Sequence, residues 1–321
     1  MSENLAVTAE KLSEYPDLQS RMLLFRSCFC TKPIHIFRTI GRRVAEEFIV
    51  EFECIKKKVL DSIFGMDNIG GLGLGVVFMQ LFNLPIGSGG LGLTNSLLLA
   101  DVAYIASAID HHNRNEECYA KLCDVHDANY EGLATIMVDL VDAVNRVLLF
   151  CPSFNSMEQL LSMHRVKGES VQHQIMQLMN KKLESIVEES MITNGNNHAL
   201  GWWNSQRNNE AGKWLEQIPV YEKVSMTALE FRSALRYRYF LRMEKMVNGL
   251  RCDCGGHPSV DAVGSHIVNG CAKHGFRSVT HDAIVQELNS ILHYCGLWTK
   301  TEERGLFHAN NPEDETRHIR Q

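Results

Sequence analysis

Residues of the metal-binding types lie close together between positions 252 and 271. Cys252, Cys254, His266 and Cys271 follow the pattern C-x-C-x11-H-x4-C. Three thiolates and one imidazole form a suitable tetrahedral ligand set for structural zinc. The glycines that follow the first pair let the chain turn sharply, and the segment has few apolar residues with which to build a core. We therefore predict that these four residues bind one structural zinc ion.

The alternative interpretation is that the four residues cluster without binding a metal. Free cysteine is common in protein cores, and the chain contains ten cysteines. His257 and His274 are further candidates for the imidazole ligand. A second group of ligand-type residues has a spacing that suits the polar surface of an amphipathic helix, and we interpret it as solvated. Its members are His111, His112, Cys118, Cys123 and His126.

Basic side chains concentrate just before the predicted zinc site. The six residues of this basic segment are Arg232, Arg236, Arg238, Arg242, Lys245 and Arg251. Arginine and aromatic side chains, which are interleaved here, together provide contacts to phosphates and stacked bases. We predict that these six residues bind nucleic acid. The alternative is a helix that packs its leucines against other elements and leaves its basic groups in solvent, because the arginines fall on two separate rows of a helix.

The elements that must position these residues are predicted to be helices. Apolar residues recur at three- and four-residue steps over 12–65, where Pro33 interrupts the pattern and Gly65 is expected to end it. Thr94 or Asn95 is expected to cap the next helix, and the Asn- and Gly-rich stretch 193–213 is predicted to be a loop. Because no segment alternates with a period of two, we predict a mainly α fold with little sheet. Helices are predicted for 96–108, 130–150, 157–164, 170–191, 228–246 and 278–294.

The overall composition is that of a core-forming protein with a small excess of acidic residues. The formal net charge is −6 and the isoelectric point is near 6.2, which argues mildly against generic nucleic-acid binding. The first residues are acidic and polar, without a basic segment followed by an apolar one, and no apolar run is long enough to span a bilayer. We therefore expect an intracellular protein, nuclear or cytoplasmic and not secreted, without membrane association, whose cysteines are thiols or metal ligands.

The order of several motifs resembles the C-terminal region of non-LTR retrotransposon reverse transcriptases. The segment LPIGSGGLGL at 84–93, followed by an alanine-rich helix, is similar to the segment after the thumb of those proteins. AGKWL at 211–215 and FRSALRYR at 231–238 resemble the stretch before their CCHC zinc knuckle, and 252–283 resembles the knuckle and the start of the linker beyond it. Upstream, 26–38 resembles thumb sequence, so the resemblance covers most of the chain.

The composition and apolar pattern of the sequence, together with this resemblance, predict four segments. These are a thumb-like helical segment (1–65), a glycine-rich hinge (66–95), a helical connector (96–247), and a zinc knuckle with a terminal helix (248–321). The expected architecture is a helical thumb-like bundle and a helical connector with a small C-terminal zinc-knuckle module. The resemblance implies that the thumb grips a template–primer duplex and that the knuckle helps to position RNA or target DNA.

Residues that catalysis in that family requires are missing from this sequence. These polymerases use an adjacent aspartate pair to hold two metal ions, and no Asp-Asp dipeptide occurs. The nuclease that usually follows the knuckle needs an acid-x-Lys element, and neither Glu-x-Lys nor Asp-x-Lys occurs after Cys252. We therefore predict a non-catalytic nucleic-acid-binding remnant, without catalytic residues, whose partner is RNA or DNA. The alternative is a helical protein-interaction scaffold with no nucleic-acid role.

Overall fold

A computed structural model of the chain describes most residues between positions 2 and 297. Within this described part the chain is mainly helical and contains no β-strand, apart from an isolated bridge between Val166 and Glu169. The predicted mainly α fold is confirmed. The described residues are 2–65, 75–114, 131–151, 154, 156, 159–160, 162–164, 166, 168–194, 197–208, 210–221, 225–243, 251–254, 266, 271 and 276–297.

The chain divides into two compact units, Met1–Leu241 and Arg242–Gln321. The described helices of the first unit are α1 (Ser2–Glu14), α2 (Leu18–Leu24), α3 (Ile34–Phe37), α4 (Arg42–Phe64), α5 (Gly75–Asn83), α6 (Ser96–Arg114), α7 (Glu131–Phe150), α8 (Val171–Thr193), α9 (Asn197–Gln206) and α10 (Ala228–Arg238). Shorter elements are a π-helix at Phe25–Phe29 and 3-10 helices at Ile86–Ser88 and Lys213–Leu215. The described helix of the second unit is α11 (Phe276–Tyr294). Among the described helices, none combines the length and apolar character needed to cross a membrane.

Helix α4 forms because its apolar residues repeat at helical spacing. Ile49, Phe52, Val59 and Ile63 share the buried face of this helix. The helix ends at Gly65, whose φ of 63° lies in the left-handed region that glycine adopts without steric cost. The predicted helix end at Gly65 is therefore confirmed.

The described part of the predicted hinge is packed into the core of the first unit. Phe82 and Leu91 have no exposed surface. The Phe82 ring lies 5.3 Å from the ring of Phe64 and 4.8 Å from the ring of Tyr239, measured between centroids. Residues 75–83 form α5, although the glycine content of this stretch predicted irregular backbone. Positions 66–74 of the predicted hinge lie outside the described residues.

Close backbone approach explains one glycine of the LPIGSGGLGL segment. A Cβ atom added at Gly90 would lie 1.9 Å from the backbone oxygen of Leu84. Any side chain at this position would therefore force the buried turn apart. The glycines of this segment allow a compact buried turn to form between α5 and α6.

A second core joins α6, α7 and α8. Its fully buried members include Val102, Val144 and Ile175, one from each helix. The side-chain oxygen of Asn95 accepts hydrogen bonds from the backbone N–H groups of Leu97 (2.9 Å) and Leu98 (3.3 Å) at the start of α6. This confirms Asn95 as the predicted helix cap.

A buried ion pair fixes α6 against α7. Asp101 is 1% exposed and accepts two hydrogen bonds from the guanidinium of Arg146, at 2.9 and 2.7 Å. Arg42 at the start of α4 donates a third, longer bond to the same carboxylate. A bidentate arginine–carboxylate pair of this kind fixes orientation as well as distance.

The predicted loop at 193–213 is wrong in its central part, where α9 forms. The ring N–H of Trp203 in α9 donates to the backbone oxygen of Ser88 at 3.0 Å, and the Trp203 side chain is buried. Tertiary packing of this aromatic side chain outweighs the weak helix propensity of the surrounding asparagine and glycine residues.

The predicted helix at 228–246 ends earlier than its sequence pattern indicates. Helix α10 stops at Arg238, and Phe240 adopts a left-handed backbone with φ 57°. The N–H of Leu241 then donates to the backbone oxygen of Arg236 at 2.8 Å, which closes the helix end in a Schellman-type arrangement. A non-glycine residue in this conformation is unusual, and sequence patterns rarely reveal it.

Two glycine substitutions should affect stability in opposite directions. Gly90→Ala should lower the free energy of unfolding by about 3 kcal/mol or more, because the new methyl group collides with the buried Leu84 carbonyl. Gly201→Ala, at an exposed position of α9 with no atom near the new Cβ, should raise it by roughly 0.5–1 kcal/mol because alanine favours a helix. Urea unfolding of the full chain measures both changes. Equal effects of the two substitutions would contradict the packing described for Gly90.

Candidate metal centre

The four predicted zinc ligands lie together in the second unit. The Sγ atoms of Cys252, Cys254 and Cys271 and a ring nitrogen of His266 are all within 4.8 Å of one another. The Cys252 and Cys271 sulfurs are 3.4 Å apart, and the Cys254 sulfur lies 3.4 Å from Nε2 of His266. These sulfur atoms are free thiols, since a disulfide would bring two of them to about 2 Å.

The spacing of the ligand atoms fits a tetrahedral metal ion. With zinc–sulfur bonds of about 2.3 Å, neighbouring ligand atoms of a tetrahedral site lie about 3.8 Å apart. The two 3.4 Å distances and the 4.8 Å limit bracket that value. One side chain from each of the four positions therefore faces a common centre, and small shifts would complete the coordination. The group can hold a metal ion.

The three cysteines are also the only buried side chains that the structure describes in the second unit. Cys252 and Cys254 are 5% exposed and Cys271 is 6% exposed. They form a cluster of their own, without an aliphatic or aromatic side chain among its buried members. Buried thiols with no surrounding apolar core are what a metal-centred fold requires, because coordination bonds replace hydrophobic packing.

The neighbouring thiols oppose ionisation of Cys252 in the absence of a metal. The backbone N–H of Cys254 lowers the pKa of Cys252, but burial and hydrogen bonds with the thiols of Cys271 and Cys254 raise it, and the resulting pKa is about 11. A cation at the centre of the group would reverse this balance, because zinc binds thiolates and releases their protons.

Among the described residues, the group consists of the four predicted ligands. His257 and His274, the spare candidates for the imidazole ligand, lie outside the described residues. His111 and His112 of the second ligand-type group lie on α6, and Cys118, Cys123 and His126 lie outside the described residues. Within the part of the chain that the structure describes, three or more ligand atoms come together only at the Cys252 group.

The basic segment is shared between the two units. Arg232, Arg236 and Arg238 belong to the first unit, and Arg242, Lys245 and Arg251 belong to the second. Arg242 and Arg251 are exposed, and Lys245 lies outside the described residues. Helix α10 ends at Arg238, so the described members of the basic segment do not all belong to one helix.

Two arginines of α10 bind the C-terminal end of α4. Arg236 is 3% exposed, and its guanidinium donates to the backbone oxygens of Phe64 (2.9 and 2.7 Å) and Gly65 (2.7 Å). Arg232 donates to the backbone oxygens of Ile63 and Ser62, both at 3.3 Å. A cation at this end of a helix satisfies unpaired carbonyls and opposes the helix dipole.

Arg238 connects three of the segments on which the sequence resemblance rests. Its guanidinium donates to the backbone oxygens of Ile86 (3.2 Å) and Ala211 (2.9 Å) and to the side-chain oxygen of Gln206 (2.9 Å). At 4% exposure it has almost no surface for another partner. The sequence prediction of a nucleic-acid contact needs correction at Arg236 and Arg238, because both guanidinium groups are buried among carbonyl oxygens.

Sequence reasoning missed this internal role of the arginines. The signal was present in the end of α4 at Gly65, because a long helix that ends inside a core leaves carbonyl groups that need donors. Arg236 lies 172 residues after Phe64, and no pattern near either residue indicates that the two pair.

No protein-family profile, curated protein or solved structure matches this chain.

The metal content of the full chain tests the candidate centre. We expect about one zinc ion per chain by elemental mass spectrometry, and loss of that zinc in the Cys252→Ser, Cys254→Ser double variant. The matched control is the Cys28→Ser, Cys54→Ser double variant, which removes two exposed thiols of the first unit and should keep its zinc. A zinc-free wild-type protein would disprove the metal centre.

The two arginines at the end of α4 should differ in their effect on stability. Arg236→Met should lower the free energy of unfolding by about 2 kcal/mol, because it leaves buried carbonyls without a donor. Arg232→Met should lower it by less than about 1 kcal/mol, because its longer bonds lie closer to solvent. Urea unfolding of both variants provides the comparison, and an equal or reversed order would argue against the assigned roles.

Proposed function

We propose that this chain is a non-catalytic nucleic-acid-binding protein whose C-terminal unit is organised by a structural zinc ion. The observation that carries the proposal is the Cys252, Cys254, His266 and Cys271 group, with its four ligand atoms within 4.8 Å. A small metal-centred module with basic residues beside it is a common device for contacting nucleic acid. RNA or DNA is the proposed partner, as a template–primer duplex or as target DNA.

The resemblance to non-LTR retrotransposon reverse transcriptases supports the same proposal. The segments at 84–93, 211–215 and 231–238, which carry much of that resemblance, contact one another through Arg238. In the proposed relationship, the first unit corresponds to a helical thumb-like bundle and connector, and the second unit to a CCHC zinc knuckle with a terminal helix. The missing Asp-Asp and acid-x-Lys elements support binding without polymerase or nuclease activity.

The proposed nucleic-acid interface is narrower than the whole basic segment. Arg236 and Arg238 are excluded by burial, and Arg232 is already bonded to the end of α4. Arg242, Lys245 and Arg251 remain. Arg251 is exposed and immediately precedes Cys252, so zinc coordination would also hold the backbone beside this guanidinium.

A helical protein-interaction scaffold is the second candidate function. The exposed side of α11 carries Ile284 (55% exposed), Leu288 (53%) and Ile291 (51%) at four- and three-residue spacing. An apolar row of this kind is typical of a helix that packs against a partner, and the net charge of −6 does not favour phosphate binding. The two functions differ in their response to salt.

Binding to an RNA–DNA hybrid at several salt concentrations tests the proposed function. We expect affinity to fall steeply with salt. The Arg242→Gln, Lys245→Gln, Arg251→Gln triple variant should reduce the logarithmic slope by about 0.9 for each phosphate that the variant no longer neutralises. The matched control replaces three exposed lysines of the first unit, Lys11, Lys58 and Lys181, with glutamine. Because both variants change the net charge equally, only the first should weaken binding.

Two results would reject the nucleic-acid role. One is affinity for the hybrid that is absent or independent of salt. The other is an equal decrease of affinity in both triple variants, which would indicate a general charge effect. In either case the scaffold function would be favoured, and the zinc measurement would still report separately on the metal centre.

A further inference from the structure

The cysteines of the candidate metal centre differ in exposure from several others in the chain. Cys28, Cys54 and Cys295 are exposed, whereas the three cysteines of the centre are buried beside one another. An exposed thiol reacts with any oxidant or thiol that it meets in solution. A buried thiol reacts first with a group that is already next to it, so the neighbours of the three buried sulfurs decide their chemistry.

Two of the buried thiols are close enough to form a disulfide bond. The Sγ atoms of Cys252 and Cys271 lie 3.4 Å apart, although the two residues are 19 positions apart along the chain. A disulfide bond is about 2.05 Å long, so the two sulfurs need to approach by roughly 1.4 Å more. Rotation of the two side chains is sufficient for an approach of this size.

The third thiol is a poorer disulfide partner. The sulfur of Cys254 lies 3.4 Å from Nε2 of His266, which cannot form a disulfide. Cys252 and Cys254 also form a hydrogen bond, but only one residue separates them in the chain. A disulfide between them would close a short, stiff loop and would be strained. The geometry therefore favours the pair formed by Cys252 and Cys271.

A zinc ion and this disulfide are alternative crosslinks for the same residues. Structural zinc uses four protein ligands, and the group offers four. A bond between the sulfurs of Cys252 and Cys271 would leave Cys254 and His266, which are too few to retain a structural zinc ion. Residues 252 and 271 would be joined in either state, once through the metal and once through sulfur alone.

We propose that the candidate metal centre is a redox switch, in which a peroxide converts Cys252 and Cys271 into a disulfide and releases the zinc ion. This inference rests on the metal-binding part of the proposed function. The two side chains are 5% and 6% exposed, so a small peroxide reaches their sulfurs more readily than a bulky disulfide such as oxidised glutathione does.

The chemistry balances with hydrogen peroxide as the oxidant. One thiolate sulfur attacks a peroxide oxygen and breaks the O–O bond, which gives a sulfenic acid and a hydroxide ion. The second thiolate sulfur attacks the sulfenic sulfur, which forms the S–S bond and releases a second hydroxide ion. Two protons from solvent convert both hydroxide ions to water. The two thiolates lose two electrons in total, and the peroxide accepts them.

Titration of the zinc-loaded full chain with hydrogen peroxide tests the switch. A chromogenic chelator measures the released zinc, and peptide mass spectrometry identifies the disulfides. We expect one zinc ion to be released for each Cys252–Cys271 disulfide that forms, and a thiol reductant with added zinc should restore the metal. Oxidised glutathione at the same concentration should release zinc roughly tenfold more slowly, because the sulfurs are buried.

Three variants control for the choice of thiols. The Cys28→Ser, Cys54→Ser double variant removes exposed thiols of the first unit and should release zinc as the wild type does. Cys254→His and Cys271→His each leave two thiolates and two imidazoles, a ligand set that also binds zinc. Release is measured as a fraction of the zinc that each variant holds before oxidation. Cys254→His should lose its zinc to peroxide, whereas Cys271→His, which lacks the pair, should retain most of its zinc at the same concentration.

The outcomes separate failure of the switch from failure of the metal centre. A chain that takes up no zinc under reducing conditions would overturn both. Zinc that is bound and then retained in peroxide, or released without a Cys252–Cys271 disulfide, would overturn the switch and leave the metal centre standing. The measurement contains no nucleic acid, so its result is independent of the test with the RNA–DNA hybrid.

Discussion

The first unit depends on the hydrogen bonds between the arginines of α10 and the C-terminal end of α4. A helix that ends within a core exposes carbonyl groups that no local residue can satisfy. The buried guanidinium of Arg236 donates to the backbone oxygens of Phe64 and Gly65. These carbonyls gain donors, and the guanidinium gains acceptors. The ring of Phe64 contacts the rings of Phe82 and Tyr239 beside this junction. Helix α5 packs against this junction through the contact between Phe82 and Phe64.

The described buried side chains of the two units differ in type. In the first unit, aliphatic and aromatic side chains form extended cores, and arginines such as Arg238 join separate turns through backbone oxygens. In the second unit, the buried side chains that the structure describes are cysteines of a group that could hold a metal ion. The arginines at 232, 236 and 238 therefore serve to join elements of the first unit. The exposed arginines of the basic segment, Arg242 and Arg251, belong to the second unit.

Local signals in the sequence predicted the features that depend on neighbouring residues. The end of α4 at Gly65 and the cap at Asn95 follow from short-range chemistry, and the grouping of Cys252, Cys254, His266 and Cys271 follows from residue type and spacing. The helix α9 was missed because it depends on Trp203 packing against a turn more than a hundred positions away. The early end of α10 was missed because Phe240 adopts a backbone conformation that its residue type disfavours. Long-range packing decides the first of these two features, and a local backbone conformation decides the second.

The separation of 172 residues between Phe64 and Arg236 has a consequence for how the first unit forms. The chain between them must be ordered or looped before their hydrogen bonds can contribute, so these bonds form late in the folding of the unit. During synthesis, α4 leaves the ribosome long before α10 does. Its carbonyl groups and the ring of Phe64 then remain open to non-native partners until translation reaches residue 236, and this interval is the period in which a chaperone would matter most.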